Sequence, residues 1–222
     1  MNIEQARFKM IEQQIRPWDV LDPAVLELLA VVKREEFVPR AWQAEAFVDM
    51  EIPLPVNDPA DAETMFAPRV EARLLQELAL QGHEHVLEIG TGSGYMAALL
   101  AHKAKSVISI EIRPELQAFA QANLAAAGVR NAKVELGDGA SGWAGAGEVD
   151  AIVVSGGLPM VSEGLLNQLR VGGRMLAIVG SAPVMHARRI TRTGAQSWDQ
   201  VDLFETLVKP LRNAPHPPRF IF

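Results

Sequence analysis

The chain of 222 residues has no cysteine, which excludes disulfides, thiolate zinc sites and a cysteine nucleophile. It has no apolar run long enough to span a membrane. Its Met1–Arg16 segment is polar and amphipathic rather than a secretory leader, so a cytoplasmic protein is expected. No basic stripe is present. The formal net charge is −6, and the densest cationic group, Arg188, Arg189 and Arg192, reads as a solvated strand face, so no nucleic-acid partner is expected. Aromatics are few, and Trp18, Trp42, Trp143 and Trp198 are scattered, which suits packing better than a stacking platform. The five histidines (83, 85, 102, 186 and 216) make no metal-ligand spacing with a carboxylate, so no metal is assigned. Ser93 lacks the G-x-S-x-G context of a hydrolase elbow.

What is present falls into three parts: an N-terminal extension over 1–80, a core over 81–211 and a proline-rich tail over 212–222. In the extension, Phe8, Ile11 and Ile15 recur at helical spacing until Pro17 disfavours continuation. Asp22-Pro23 reads as an N-cap with proline at the first helical position, and Val25, Leu28, Leu29 and Val32 form the inner face that follows. A long loop is expected from Val48 to Pro68, where a third helix starts with Val70, Leu74, Leu75 and Leu78 turned inward. Long ordered loops are often functional.

The core alternates strand and helix. Strands are expected at His85–Ile89, Ser106–Glu111, Lys133–Leu136, Ala151–Ser155 and Arg174–Val179. Helices are expected at Tyr95–Lys103, Pro114–Ala127 and Ser162–Leu169. Strands this apolar imply a parallel sheet covered on both faces. Ala187–Thr193 and Gln200–Val208 read as an antiparallel hairpin around Gly194. The fold class is therefore α/β: a Rossmann-like, doubly wound, mostly parallel sheet with a C-terminal antiparallel hairpin and an N-terminal helical extension. The tail ends in Phe220-Ile221-Phe222, expected to dock on the body or on a partner.

In such a sheet a ligand binds beyond the carboxyl ends of the strands. Gly90, Thr91, Gly92, Ser93 and Gly94 lie there, between the first core strand and a helix whose N-terminus favours an anionic group. A dinucleotide fingerprint starting at Gly90 needs a small residue where Tyr95 stands, which disfavours a nicotinamide enzyme. Glu111, at the end of the next strand, can accept both hydroxyls of a ribose and would repel a 2′-phosphate. Asp138, between Gly137 and Gly139 after the third strand, can reach an adenine amino group.

The run Glu88-Ile89-Gly90-Thr91-Gly92-Ser93-Gly94 resembles motif I of S-adenosylmethionine-dependent methyltransferases, a resemblance that places Glu88 near the methionine end of the cofactor. Arg34-Glu35-Glu36-Phe37-Val38-Pro39, the loop before Pro68, V-L-E-I-G-T-G-S-G-Y, G-D-G and L-R-V-G-G-R occur in order, up to about Leu211. Together they resemble the protein-L-isoaspartate O-methyltransferase family. The resemblance implies S-adenosyl-L-methionine as cofactor, bound by Glu88, Gly90, Thr91, Gly92, Ser93, Gly94, Glu111, Asp138 and Gly139, and a damaged protein or peptide with an isoaspartyl carboxylate as methyl acceptor. It assigns no catalytic side chain, and the sequence specifies no oligomeric state. One departure stands out. The family's Q-T-I-S-Q-P or A-T-I-S-A-P segment is Glu63-Thr64-Met65-Phe66-Ala67-Pro68 here, with Phe66 at the serine position and Glu71 where animal-type members have histidine. Two alternatives follow: a methyltransferase for another acceptor, or a non-catalytic cofactor-binding regulator. Asp49 stands where the family has an aromatic-x-Asp pattern, with loop capping as its competing role.

Overall fold

A computed structural model describes residues 2–58 and 63–217. The chain opens with helix α1 (Ile3–Met10), capped by the Asn2 side chain, and runs on as a π-helical turn over Ile11–Ile15 and a 3₁₀ turn over Arg16–Trp18. Phe8 is a correction to the expected apolar stripe: it is 63% exposed, whereas Met10, Ile11 and Ile15 are buried. The wider π turn shifts the helical phase, so the inward face is not the one a uniform 3.6-residue period projects. Helix α2 (Pro23–Val31) starts as expected, with Asp22 accepting from the Ala24 amide at 2.8 Å. The long loop holds a short antiparallel pair, β1 (Ile52–Pro53) and β2 (Thr64–Met65), and ends at α3 (Pro68–Leu78).

Seven strands then make one sheet: β3 (His85–Ile89), β4 (Ser106–Glu111), β5 (Ala132–Leu136), β6 (Val149–Leu158), β7 (Leu169–Ser181), β8 (Val184–Gly194) and β9 (Ser197–Thr206). Their order is β5-β4-β3-β6-β7-β8-β9. The first five are parallel; β8 is antiparallel to both β7 and β9, so the terminal hairpin extends an antiparallel edge begun one strand earlier. Between strands run α4 (Tyr95–Lys103), α5 (Pro114–Ala126) and α6 (Glu163–Gln168). Strands β6 and β7 are longer than their apolar cores suggest. The ladder tolerates register shifts between Val149 and Ala151 and between Val153 and Gly157, which let the glycine-rich end of β6 stay paired.

Alternate side chains enter two cores. Val86, Val107, Val134, Val153 and Ile178 join the core shared with α2–α5, while Leu87, Ile89, Ile152, Val154 and Met175 join the one that contains Leu165 of α6. The sheet is covered on both faces, as expected, but most of the helical mass lies on the first. The Arg188 cluster is paired rather than merely solvated: Arg188 bonds Asp202, Arg189 bonds Glu77 of α3, and Arg192 donates to the carbonyls of Leu169 and Ala195. Phe220, Ile221 and Phe222 lie outside the described residues. Strands β3 and β6 are neighbours whose sequence partners lie on opposite sides, so the switch point of the sheet falls at their carboxyl ends.

Candidate active site

At that switch point opens a cleft enclosing about 870 Å³, including its mouth. Its lining brings together every residue expected there, except that Gly94 lies just behind, as the N-cap of α4. Gly90 and Gly94 have φ of 91° and 83°, a left-handed backbone that side-chain-bearing residues rarely adopt. A Cβ on Gly90 would sit 3.0 Å from the Ser155 carbonyl oxygen. Most of the loop's amides are spent within the protein: those of Gly90 and Thr91 donate to the Ile110 carbonyl at 2.9 and 3.2 Å, and that of Gly94 to Thr91. The loop therefore shapes the cleft more than it offers free donors.

Glu88 is fully buried at the cleft's inner end. It accepts from Ser109 Oγ at 2.6 Å and Ser155 Oγ at 3.0 Å, hydroxyls on the two strands that flank β3. No cation bonds it among the described residues. Burial, followed by the nearby carboxylates of Glu71 and Glu111, outweighs the two hydroxyls and pushes its pKa up to about 8. Glu111 accepts from the Gly92 amide at 2.9 Å and the Arg113 amide at 3.0 Å. Burial raises its pKa against those backbone bonds. Asp138 accepts from the Ala140 amide at 3.0 Å and from Asn213 Nδ2 at 2.8 Å. A Cβ on Gly139 would meet Ile89 Cδ1 at 2.7 Å, so glycine here lets the chain beyond the third strand pack against the Ile89 side chain of the first.

The outer wall is the loop before α3. The Phe66 side chain is buried and lines the cleft with Leu54, Met65 and Met96. Behind it Arg34, with no exposed surface, donates to the Phe66 carbonyl at 2.8 Å, to the Ala46 carbonyl at 3.2 Å and to Glu71. Its guanidinium also lies 5.3 Å from the Tyr95 ring centroid, so the tyrosine that spoils a dinucleotide fingerprint is a packing residue beneath this wall. Desolvation pushes the Glu71 carboxyl up to about 7, against the attraction of Arg34. Thr64 donates its hydroxyl to Glu51 at 2.8 Å, so it is already engaged within the loop. Asp49 pairs with Arg69 of α3 and does not line the cleft, so its carboxylate joins the loop to α3 through a side-chain ion pair rather than capping a backbone amide among the described residues.

A segment that sequence reasoning missed closes the other side. Lys209–Asn213 crosses the cleft's edge, with Gly157 N–H donating to the Lys209 carbonyl at 2.9 Å and Leu211 N–H to the Gly157 carbonyl at 2.8 Å. Arg212 donates to Glu63 at 2.9 Å, tying this segment to the loop before α3. Leu211 packs on Gly90 and Gly156, at which a Cβ would meet its side chain at 3.2 and 2.4 Å. The glycine at 156 was the only hint, since small residues mark close approaches.

A buried carboxylate without a bound cation, a glycine-lined floor and two further carboxylates at successive strand ends fit an elongated ligand bearing an ammonium, a ribose and an adenine amino group. Fold and site together define a class I S-adenosylmethionine-dependent methyltransferase. The comparisons narrow this. Residues 5–213 match the family model described as Protein-L-isoaspartate(D-aspartate) O-methyltransferase. A protein-L-isoaspartate O-methyltransferase of Syntrophotalea carbinolica is 37% identical over 211 residues, covering 95% of each chain. One from Syntrophobacter fumaroxidans is 42% identical over 180 residues, covering 81% of this chain and 82% of the relative. Among solved structures, a protein-L-isoaspartate O-methyltransferase superposes with a TM-score of 0.79 at 23% identity, over 92% of this chain and 65% of that one. A Plasmodium falciparum structure in complex with S-adenosyl-L-homocysteine gives 0.78 at 18% identity, over 93% and 98%. At these identities the two structures speak for the fold. The chain belongs to the protein-L-isoaspartate (D-aspartate) O-methyltransferase family, and it is an enzyme with S-adenosylmethionine as cofactor.

Proposed function

We propose that this enzyme methylates the side-branch carboxylate of isoaspartyl residues in damaged proteins, in a cytoplasmic setting. The observation that carries the reading is the continuity of one cleft. It joins Glu88, Glu111 and Asp138, in that order along three strand ends, to the wall formed by Thr64, Met65 and Phe66. In this reading Glu88 attends the methionine end of the cofactor, the 90–94 loop wraps its middle, Glu111 takes the ribose hydroxyls, and Asp138 with Gly139 meets the adenine. S-adenosylmethionine supplies an electrophilic methyl group, whose C–S electron pair returns to sulfur as the acceptor's C–O bond forms.

An acceptor carboxylate is already ionised at neutral pH, so the chain needs to supply no base. Its residues instead orient and dehydrate the reactants. Phe66 takes the place of a hydroxyl with an apolar ring, which excludes water. Arg34 fixes the loop backbone behind that ring and partly offsets the negative charge of Glu71, which would otherwise oppose an anionic acceptor. The family match disfavours both a different acceptor and a non-catalytic role.

The test is methyl transfer from labelled S-adenosylmethionine to an isoaspartyl peptide, with the matched aspartyl peptide as control and Phe66→Ser alongside. Isoaspartyl-selective turnover by the unaltered enzyme is expected. Cofactor binding without turnover would refute the reading, and rescue by Phe66→Ser would trace the failure to that ring.

A further inference from the structure

Glu88 is not held alone. Ser109 stands opposite it in the parallel register of β3 and β4, has no exposed surface, and does not line the cleft. Its Oγ donates to Glu88 Oε2 at 2.6 Å and lies 2.6 Å from Thr91 Oγ1. Thr91 does line the cleft. A serine hydroxyl has one proton. While that proton is given to an ionised Glu88, Thr91 must be the donor to Ser109, which leaves the lone pairs of its oxygen as acceptors. When Glu88 carries a proton and gives it to Ser109, the serine's own proton turns to Thr91, and the threonine's proton is displaced away from Ser109. The direction of this three-residue chain is therefore set by the charge on Glu88.

We infer that Ser109 is a positioning residue that couples the ionisation of Glu88 to the hydrogen-bonding face Thr91 presents to the cofactor, so that binding of the cofactor's ammonium group expels a proton from Glu88 and turns Thr91 into an acceptor. The inference rests on the placement of Glu88 at the methionine end proposed above. The other charged groups around Glu88 are Glu71 with its partner Arg34 on the α3 side and Glu111 on β4. Glu63, Asp138, Lys209 and Arg212 line the same cleft farther out. None of these bonds Ser109. Replacing the serine therefore changes the Glu88 titration with the remaining charges left in place.

The experiment is calorimetric binding of S-adenosyl-L-homocysteine, which carries the ammonium but cannot react, from pH 6 to 9. Each variant is read as a ratio to the unaltered protein at the same pH, which cancels titration of the ligand. Affinity of the unaltered protein should fall as pH drops below about 8, with net proton release seen in buffers of different ionisation enthalpy. Ser109→Ala should move the midpoint upward and cost about tenfold in affinity near pH 7, the size of one hydrogen bond to a charged group. At pH 9 the cost should shrink, and Ser109→Thr should restore both midpoint and affinity. A loss of the same factor at every pH, or no loss, would overturn the coupling, as would proton release that persists in Glu88→Gln. Should Ser109→Ala fail to fold, Thr91→Val carries the test. It removes the threonine hydroxyl and keeps the Ser109–Glu88 bond, so it should weaken binding with little movement of the midpoint; unchanged affinity would overturn the proposal. Failure of the unaltered protein to bind the ligand at all would instead refute the cofactor site.

Discussion

Arg34→Met should be among the most damaging single substitutions in the chain. The guanidinium has no exposed surface and joins the Phe66 carbonyl, the Ala46 carbonyl and the Glu71 carboxylate. Methionine fills similar space but leaves all three acceptors without their donor, one of them a buried carboxylate. Breaking a buried ion pair from one side costs about 3–5 kcal/mol. That is a large share of the roughly 5–15 kcal/mol that holds an ordinary domain together. Glu71→Leu should cost a comparable amount by leaving a buried guanidinium with neutral acceptors only. The double variant Arg34→Met/Glu71→Leu removes both charges, so its cost should fall well short of the sum, with a coupling of at least about 2 kcal/mol. Urea unfolding of the four proteins, compared at constant m-value, measures this directly. Additive losses, or a cost below about 1 kcal/mol for Arg34→Met, would refute the reading of Arg34 as the anchor of this wall. The pair also gives a pH signature. The folded-state pKa of Glu71, raised to about 7 from an ordinary value of 4.5, lets the folded protein hold a proton that the unfolded chain releases. The associated stability is complete below pH 4.5 and is lost as pH rises through about 7. Glu71→Leu should flatten that part of the stability profile.

Two further outcomes follow from close contacts. Gly164→Ala would place a Cβ 2.0 Å from the Ser141 carbonyl oxygen, a backbone atom that cannot swing aside. It should lower stability by about 3 kcal/mol and the melting temperature by roughly 6–12 °C, whereas Gly82→Ala, with nothing within 4 Å, should melt near the unaltered protein. Leu211→Ala strips the side chain that packs on Gly90 and Gly156, so affinity for S-adenosyl-L-homocysteine should fall roughly five- to tenfold, about 1–1.4 kcal/mol of apolar contact. Unchanged affinity by calorimetry would remove Leu211 from the working cleft.

Local chemistry was readable where it acts over a few residues. Asp22-Pro23 marked the start of α2, the apolar runs marked β3 and β4 at both ends, and the glycine loop with Glu111 and Asp138 located the cleft. Phe8 misled because its outward turn depends on a π segment with no sequence punctuation of its own. The structural roles of Arg34, Ser109 and Leu211 could not be read for a different reason. Each works through a partner 20 or more residues away: Arg34 on Phe66, Ser109 on Glu88, Leu211 on Gly156. Ser109 came closest to being legible. A serine inside an apolar strand, aligned with a buried glutamate on the next strand, points to a shared hydrogen bond once the parallel register is known.

The order of the sheet leaves β5 and β9 as its outer strands, each with a row of backbone groups facing away from the sheet. Such a row is a template on which another strand can grow. On β9 the exposed side chains include Asp199, Asp202 and Glu205, and on β5 the exposed Lys133 lies two residues from Glu135, with which it forms an ion pair. A strand arriving at either border would have to strip water from these exposed charges. Charge at both borders therefore opposes growth of the seven strands seen among the described residues, and an enzyme whose proposed targets are themselves damaged chains has reason to discourage their loose segments from joining its own edge.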